Sequence, residues 1–338
     1  MKVFVKKFWI VIACALLISL PLLIMGTIRT DQTVTLKGMT SVVEEFVEVE
    51  NAHSQSGTFS TIGVVSIDHS TVLQNLMVKA SSTSDIEELP DYYLHFTDAE
   101  LSQMGSIQHD SSVNYSLILA YKMAALKDPS IHLDYAFDAY VVAFYIPASS
   151  LRIGDRIVGI DGVRVKDDPT VFDRIKEGST YVVERGNEIL TISYANDKIY
   201  VEEDELMEAS SFIAYPFYTL DTITAKPRFT IKPTNVGGPS GGLLQTLALY
   251  NSLIAEDITH GYKIAGTGTI TPEGTVGIIG GIQQKIYTAY DDRIEIFLCP
   301  KDNYEEALIA YNKLPNKERM KLYSIETFAQ ALEVLGNV

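Results

Sequence analysis

Cysteine is almost absent. The 338 residues hold two, Cys14 and Cys299, which cannot make a disulfide framework, so stability has to come from packed cores. Basic charge is also short. With 27 Lys and Arg against 43 Asp and Glu the formal net charge is −16, and nucleic acid, whose binding rests on neutralising phosphates with Lys and Arg, is excluded as an expected partner. Histidine is sparse, with six residues of which the last is His260. No G-x-x-x-x-G-K-[ST] occurs, which excludes a P-loop nucleotide motor. No long repeat or low-complexity tract is visible.

What is present begins with an apolar run. From Phe8 to Ile28, "FWIVIACALLISLPLLIMGTI" carries no charge and is long enough to cross a bilayer, which takes about 20 apolar residues. Lys2, Lys6 and Lys7 precede it and only Arg29 follows. The positive-inside bias therefore keeps the N-terminus cytoplasmic and exports everything after Thr30. A cleaved signal peptide is the competing reading, but the length and the lack of a clear A-x-A site favour an uncleaved anchor. The expectation is a single-pass cell-membrane protein with its C-terminal domains extracellular. Setting aside Lys2, Lys6, Lys7 and Arg29, 23 of the 27 basic residues remain against 43 acidic ones, a formal charge of about −20 for the exported part.

Along the exported chain, "GTFSTIGVVSI" (Gly57 to Ile67) reads as a strand or hairpin, and "SSVNYSLILAYKMAALK" (Ser111 to Lys127) as a helix with Val113, Leu117, Ala120, Ala124 and Ala125 on one stripe. From Tyr135 short strands dominate, with a helical piece "PTVFDRIKEG" among them, and the acidic "VEEDELME" (Val201 to Glu208) follows as a boundary. The remainder alternates: strands, a helix over Gly241 to Ala255, a strand "GYKIAGTGTI", a helix "GIQQKIYTAYD", a buried strand "IEIFLCP", and two short closing helices.

One stretch raises a chemical question. "NVGGPSGG" (Asn235 to Gly242) sets Ser240 among four glycines and a proline. Such clusters are ordinary loops as often as they are built to present a side chain. Gly238 to Gly242 also fits G-x-S-x-G, the hydrolase nucleophile elbow. An elbow serine follows a buried strand directly and needs a histidine late in the chain, whereas "KPTNVGGP" precedes this one and His260 lies only twenty residues beyond. A lysine can serve as base instead, once burial removes its proton. Lys285, in "GIIGGIQQK", opens a helix where the positive dipole end also disfavours an ammonium. Taken alone it reads equally as a solvated lysine paired with Asp291 or Asp292.

Together, "GGPSGG", "AGTGTI" and "GTVGIIGGIQQK" resemble the proteolytic domain of Lon-type proteases over roughly the last 130 residues. The resemblance implies Ser240 as nucleophile, Lys285 as general base and Thr267 as the residue that orients the lysine, with Pro239 and Gly241 in the loop that forms the oxyanion site. No metal or cofactor is implied. Two positions depart from the pattern: ATP-dependent Lon enzymes carry an acidic residue where Gly237 stands, and an alanine is usual at Gly241. The middle segment "LRIGDRIVGIDGVRV" (Leu151 to Val165) resembles a PDZ domain, a module that takes an extended C-terminal peptide as an added strand. A small β module without a ligand is the alternative. The short loop "YIPASS" before Leu151 bears on the carboxylate pocket. Anchor, PDZ and ATP-free protease together look like the membrane-anchored PDZ-containing Lon-like serine proteases of Gram-positive bacteria, the SepM type.

The expected architecture is an α/β (α+β) Lon-type proteolytic domain with an inserted β-rich PDZ domain and one N-terminal transmembrane helix. Residues 1–30 are stub and anchor, 31–130 the first part of the protease fold, 131–205 the PDZ domain, and 206–338 the part carrying the dyad. The expected function is ATP-independent endopeptidase cleavage of exported proteins or secreted peptides, signalling peptides among them. The alternative is a catalytically silent surface binding or tethering protein. No residue pattern fixes an oligomeric state.

Overall fold

The computed structural model describes residues 2–90, 93–146, 149–176, 178–193 and 212–338. The acidic segment expected as a boundary, Val201 to Glu208, and part of the loop before Leu151 lie outside the described residues. The chain opens with helix α1 (Lys2–Met25), whose apolar stretch Phe8–Met25 is 0% buried. Among the described residues it is the one helix long and apolar enough to cross a membrane.

The next elements are β1 (Gln32–Val42), β2 (Val47–Val49), β3 (Thr58–Ile67), α2 (Val72–Lys79), β4 (Asp85–Glu88) and the long helix α3 (Asp98–Ala125). Both α2 and α3 start at a capping box, Thr71 with Gln74 and Thr97 with Glu100, each satisfying two otherwise orphaned N–H groups. The box at Thr97 explains why α3 begins at Asp98 and not at the expected Ser111. Its first half buries Met104 against the β-rich part of the chain, and its second half buries Val113, Leu117 and Ala120 in a different core.

Next come β5 (Tyr135–Tyr145), β6 (Arg156–Ile160), β7 (Val163–Arg164), β8 (Thr180–Arg185), β9 (Glu188–Ser193) and β10 (Phe212–Leu220). They form an antiparallel sheet in the order β10-β5-β6-β8-β9, with β7 paired to β6. Asp161 and Gly162, with φ of 48° and 81°, make the two-residue turn between β6 and β7, the geometry that Asp-Gly favours. The helical piece expected after it is a short 3-10 turn, Pro169–Arg174. Asp155, 1% exposed, takes both donors of Arg185 at 2.7 Å and the N–H of Arg152 at 2.8 Å.

The last third contains β11 (Phe229–Ile231), α4 (Gly242–Leu253), β12 (Lys263–Gly266), β13 (Thr269–Ile270), β14 (Val276–Gly277), α5 (Ile282–Asp291), β15 (Ile296–Pro300), α6 (Tyr304–Tyr311), β16 (Lys321–Ile325) and α7 (Phe328–Leu335). A six-stranded sheet runs β16-β15-β12-β3-β1-β4, parallel from β16 to β3 and antiparallel beyond. Strands from both ends of the chain thus share one layer. Side chains alternate across it: Phe59, Ile264, Ile296 and Leu298 face the core under α3, α4 and α7, while Ile62, Ala265, Phe297 and Cys299 face α5 and α6. Every residue of α4 is buried, its polar members Thr246, Asn251 and Ser252 each hydrogen-bonded to a backbone group. The molecule is a mixed α/β fold.

Candidate active site

The loop from Gly237 to Gly241 ends where α4 begins, and α3 holds it from one side. Gly238 donates its N–H to the carbonyl of Gly105 at 2.8 Å, and its φ of +84° is a conformation that costs an L-residue roughly 1–2 kcal/mol. Ser112 Oγ donates to the Pro239 carbonyl at 3.1 Å, and Ser116 Oγ to that of Gly242 at 3.1 Å. Gly105, His109, Ser112 and Ser116 thus form one stripe of α3 turned to the loop. The residue-by-residue reading missed them. Their spacing of four, three and four residues is the signal that could have found them.

From the other side the Ser240 carbonyl accepts the Gly268 N–H at 2.7 Å and Thr267 Oγ1 at 3.0 Å. This pins the serine's backbone and leaves its side chain free to turn outward. Among the described residues, the N–H groups of Ser240 and Gly241 are not among the donors that fix the loop.

Lys285 sits one turn into α5, after the turn at Gly281. Its Nζ lies 2.8 Å from Ser240 Oγ and 2.9 Å from Thr267 Oγ1. Lys285 is 1% exposed and Thr267 0%. Burial pulls the lysine pKa down from 10.5 to about 7, because no water solvates the ammonium. Desolvation is the cause found here, where the sequence had suggested a helix-dipole contribution as well. The pairing with Asp291 or Asp292 does not occur: Asp291 holds Lys37 at 2.7 Å, and Asp292 accepts from Thr40 at 2.7 Å. The structure therefore brings Ser240, Lys285 and Thr267 together, with Pro239 and Gly241 on either side of the serine. Neutral Lys285 can accept the serine proton.

Both departures from the Lon pattern have a steric setting. A Cβ at Gly237 would meet the Cα and carbonyl carbon of Gly105 at 3.3 and 3.4 Å, so an acidic side chain there would press on the backbone of α3. A Cβ at Gly241 would meet Thr61 Cγ2 at 3.1 Å and Gln245 Nε2 at 3.2 Å.

Ser240 and Lys285 lie in a cleft of about 440 Å³ with apolar walls that include Met39, Phe46, Ile62 and Val236. His109 lines it too, its ring edge-on to Phe46 at 5.9 Å. Burial lowers the His109 pKa against the opposing pull of Asp110. The other titratable group lining the cleft is Lys285.

Residues 232–336 match the Lon protease (S16) C-terminal proteolytic domain. Individual Lon proteases are similar to part of this chain. That of Fervidobacterium nodosum is 35% identical over 102 residues, 30% of this chain and 12% of the relative. Lon protease 2 of Borreliella burgdorferi is 31% identical over 145 residues, 39% of this chain and 17% of the relative. The Lon protease of Campylobacter jejuni is 28% identical over 145 residues, covering 42% and 18%. The chain thus spans less than a fifth of the length of these relatives. Within the Lon-type region fall Ser240, Thr267 and Lys285, together with β12, α5 and β15. β1, β3 and α3, which complete the sheet and hold the serine loop, come from outside it.

Proposed function

We propose that this chain is a membrane-anchored, ATP-independent serine endopeptidase that hydrolyses peptide bonds in exported proteins or secreted peptides. One observation carries the reading: a lysine amine buried with no counter-ion among the described residues, 2.8 Å from a serine hydroxyl at the mouth of a cleft. An ordinary lysine is neutral in about 0.03% of molecules at pH 7, whereas one with a pKa of about 7 is neutral in about half. Lys285 takes the proton of Ser240 as Oγ attacks the peptide carbonyl. The N–H groups of Ser240 and Gly241 receive the oxyanion. Lys285 then returns the proton to the leaving amine, and water releases the acyl group by the same steps in reverse. Thr267 positions both partners, donating to the serine's carbonyl and accepting from the lysine.

The β-rich sheet, in which β10 (Phe212–Leu220) pairs with β5, is read as a PDZ domain inserted into the protease, selecting substrates by pairing their backbone with a sheet edge. The insertion expected over 131–205 is therefore taken to include β10, and residues 31–130 with those after Leu220 make up the protease around it. The helix at Phe8–Met25 is read as a single-pass anchor with the rest of the chain outside the cell. The reading as a silent tethering protein has no structural observation in its favour.

The test is peptide-library cleavage by the full chain in detergent, read by mass spectrometry, for wild type, Ser240→Ala and Lys285→Ala. Cleavage is expected from the wild type alone, with a rate that rises with pH through about 7. Cleavage that survives Lys285→Ala would remove the lysine from its role. A wild type that cuts nothing would overturn the endopeptidase reading.

A further inference from the structure

The catalytic cleft does not end at Ser240. β12 stops at Gly266, opposite Thr61, so among the described residues β3 from Ile62 onward has no strand beside it on that side. The cleft runs along this stretch of β3 into a second hollow of about 600 Å³, sharing Val64, Asn235 and Gly237 with it. The second hollow follows β3 past Ile67 to His69 and finishes at Arg29, which is paired with Asp98 at 3.0 Å.

Arg29 is four residues beyond the end of α1, and the connection is fixed. Val72 donates its N–H to the Ile28 carbonyl at 3.0 Å, and Thr30 donates its N–H to the Ser70 carbonyl at 2.8 Å. Four residues reach at most about 14 Å. The far end of the groove is therefore held within about 14 Å of the apolar helix, with no free linker between them. Beside this stem the chain exposes apolar side chains: Ile28 is 50%, Leu76 50% and Met77 67% exposed. These are continuous with the exposed apolar surface of α1 and suit a lipid interface.

We infer that the groove opens at the bilayer surface and takes polypeptide segments that emerge from, or are tethered to, the same membrane face, cutting them about ten residues from it. This rests on the proposed anchor and endopeptidase activity. From Thr61, beside the serine loop, to Ile67 is six residues of strand, about 20 Å. Adding the stem gives up to about 34 Å, which an extended substrate spans with about ten residues. A chain held at the bilayer enters from the Arg29 end and lies along the unpaired edge of β3. Its bond at that spacing reaches Ser240. A freely diffusing peptide reaches the same site without the advantage of local concentration.

The experiment uses the full chain reconstituted in phosphatidylcholine and phosphatidylglycerol vesicles. Reporters carry one apolar helix, a Gly-Ser spacer of 3, 10 or 60 residues, and a cleavable segment taken from the peptide screen. The 10-residue reporter is expected to be cut at least tenfold faster than either of the others. A 20-residue Gly-Ser insertion between Gly26 and Thr27 should abolish that preference. Leu76→Glu with Met77→Glu should slow the tethered reporter and leave the free peptide unchanged. Equal rates for all spacers, or a preference untouched by the insertion, would overturn the inference. Failure of the full chain to cut the free peptide would instead overturn the endopeptidase reading and the inference with it.

Discussion

Replacing Lys285 by methionine should make the protein more stable in acid while abolishing any chemistry that needs the amine. The folded-state pKa is about 7 against 10.5 for a solvated lysine. Below pH 7 the lysine is protonated in both states, and the folded protein bears the whole cost of a buried ammonium. Above 10.5 it is neutral in both and the cost is gone. Between these values the unfolded chain binds more protons, so stability rises with pH. At about 1.4 kcal/mol per pH unit the full cost is about 5 kcal/mol, of which roughly half is recovered between pH 6 and 9. Methionine fills the same space without a charge but forfeits the bonds to Ser240 and Thr267, each worth about 1 kcal/mol. The variant should therefore exceed the wild type by about 3 kcal/mol at pH 6 and match it within about 1 kcal/mol at pH 9. Urea titrations followed by circular dichroism, on full chains in detergent, read both numbers. A methionine variant no more stable at pH 6, or a difference that does not narrow with pH, would refute the account of the buried lysine.

Three further substitutions separate positioning from stability. Thr267→Val removes the hydroxyl between Ser240 and Lys285 and should lower kcat about 10- to 100-fold with little change in KM, with Thr267→Ser restoring most of it. Gly238→Ala, at φ +84°, should cost roughly 1–2 kcal/mol in a thermal melt and lower kcat as the serine loop shifts. Arg185→Ala leaves the carboxylate of Asp155, 1% exposed, without its charged partner. Because Arg185 is itself partly exposed, the loss should be about 2–3 kcal/mol, below the range for fully buried pairs, and proteolysis under native conditions should locate it in the β-rich sheet.

The parts of the fold legible in the sequence are those where local pattern and tertiary role agree. β15 is an unbroken apolar run because α helices cover both faces of its parallel sheet. The serine loop stood out because its backbone favours glycine, by positive φ at Gly238 and by the close approach of Gly237 to α3. Elements that depend on a distant partner were illegible. β4, Asp85–Glu88, has acidic composition and becomes a strand through its pairing with β1. β16, between the two closing helices, carries lysine and serine and owes its form to β15. The first half of α3 hid because Met104 faces one core while Leu117 faces another, so no single stripe runs its length. The roles of Ser112 and Ser116 were hidden for a related reason: a serine on a helix announces nothing until its partner carbonyl, more than 120 residues away, is in place.

That arrangement makes α3 the element on which the site depends. Its first half packs into the core of the β-rich sheet through Met104 and Ile107, with Gly105 between those two, and its second half packs into the core beneath α4. At Gly105 the helix touches the serine loop by backbone alone, through the 2.8 Å bond from Gly238 and the close approach of Gly237. A side chain at Gly237 could swing and hold the loop in more than one position. Two glycine backbones in contact allow one separation, and a rigid helix sets it. Ser240 is thus placed against Lys285 by packing that extends through both halves of the molecule. A change in how the β-rich sheet sits on α3 would reach Ser240 through the bonds that Gly105, Ser112 and Ser116 make to its loop.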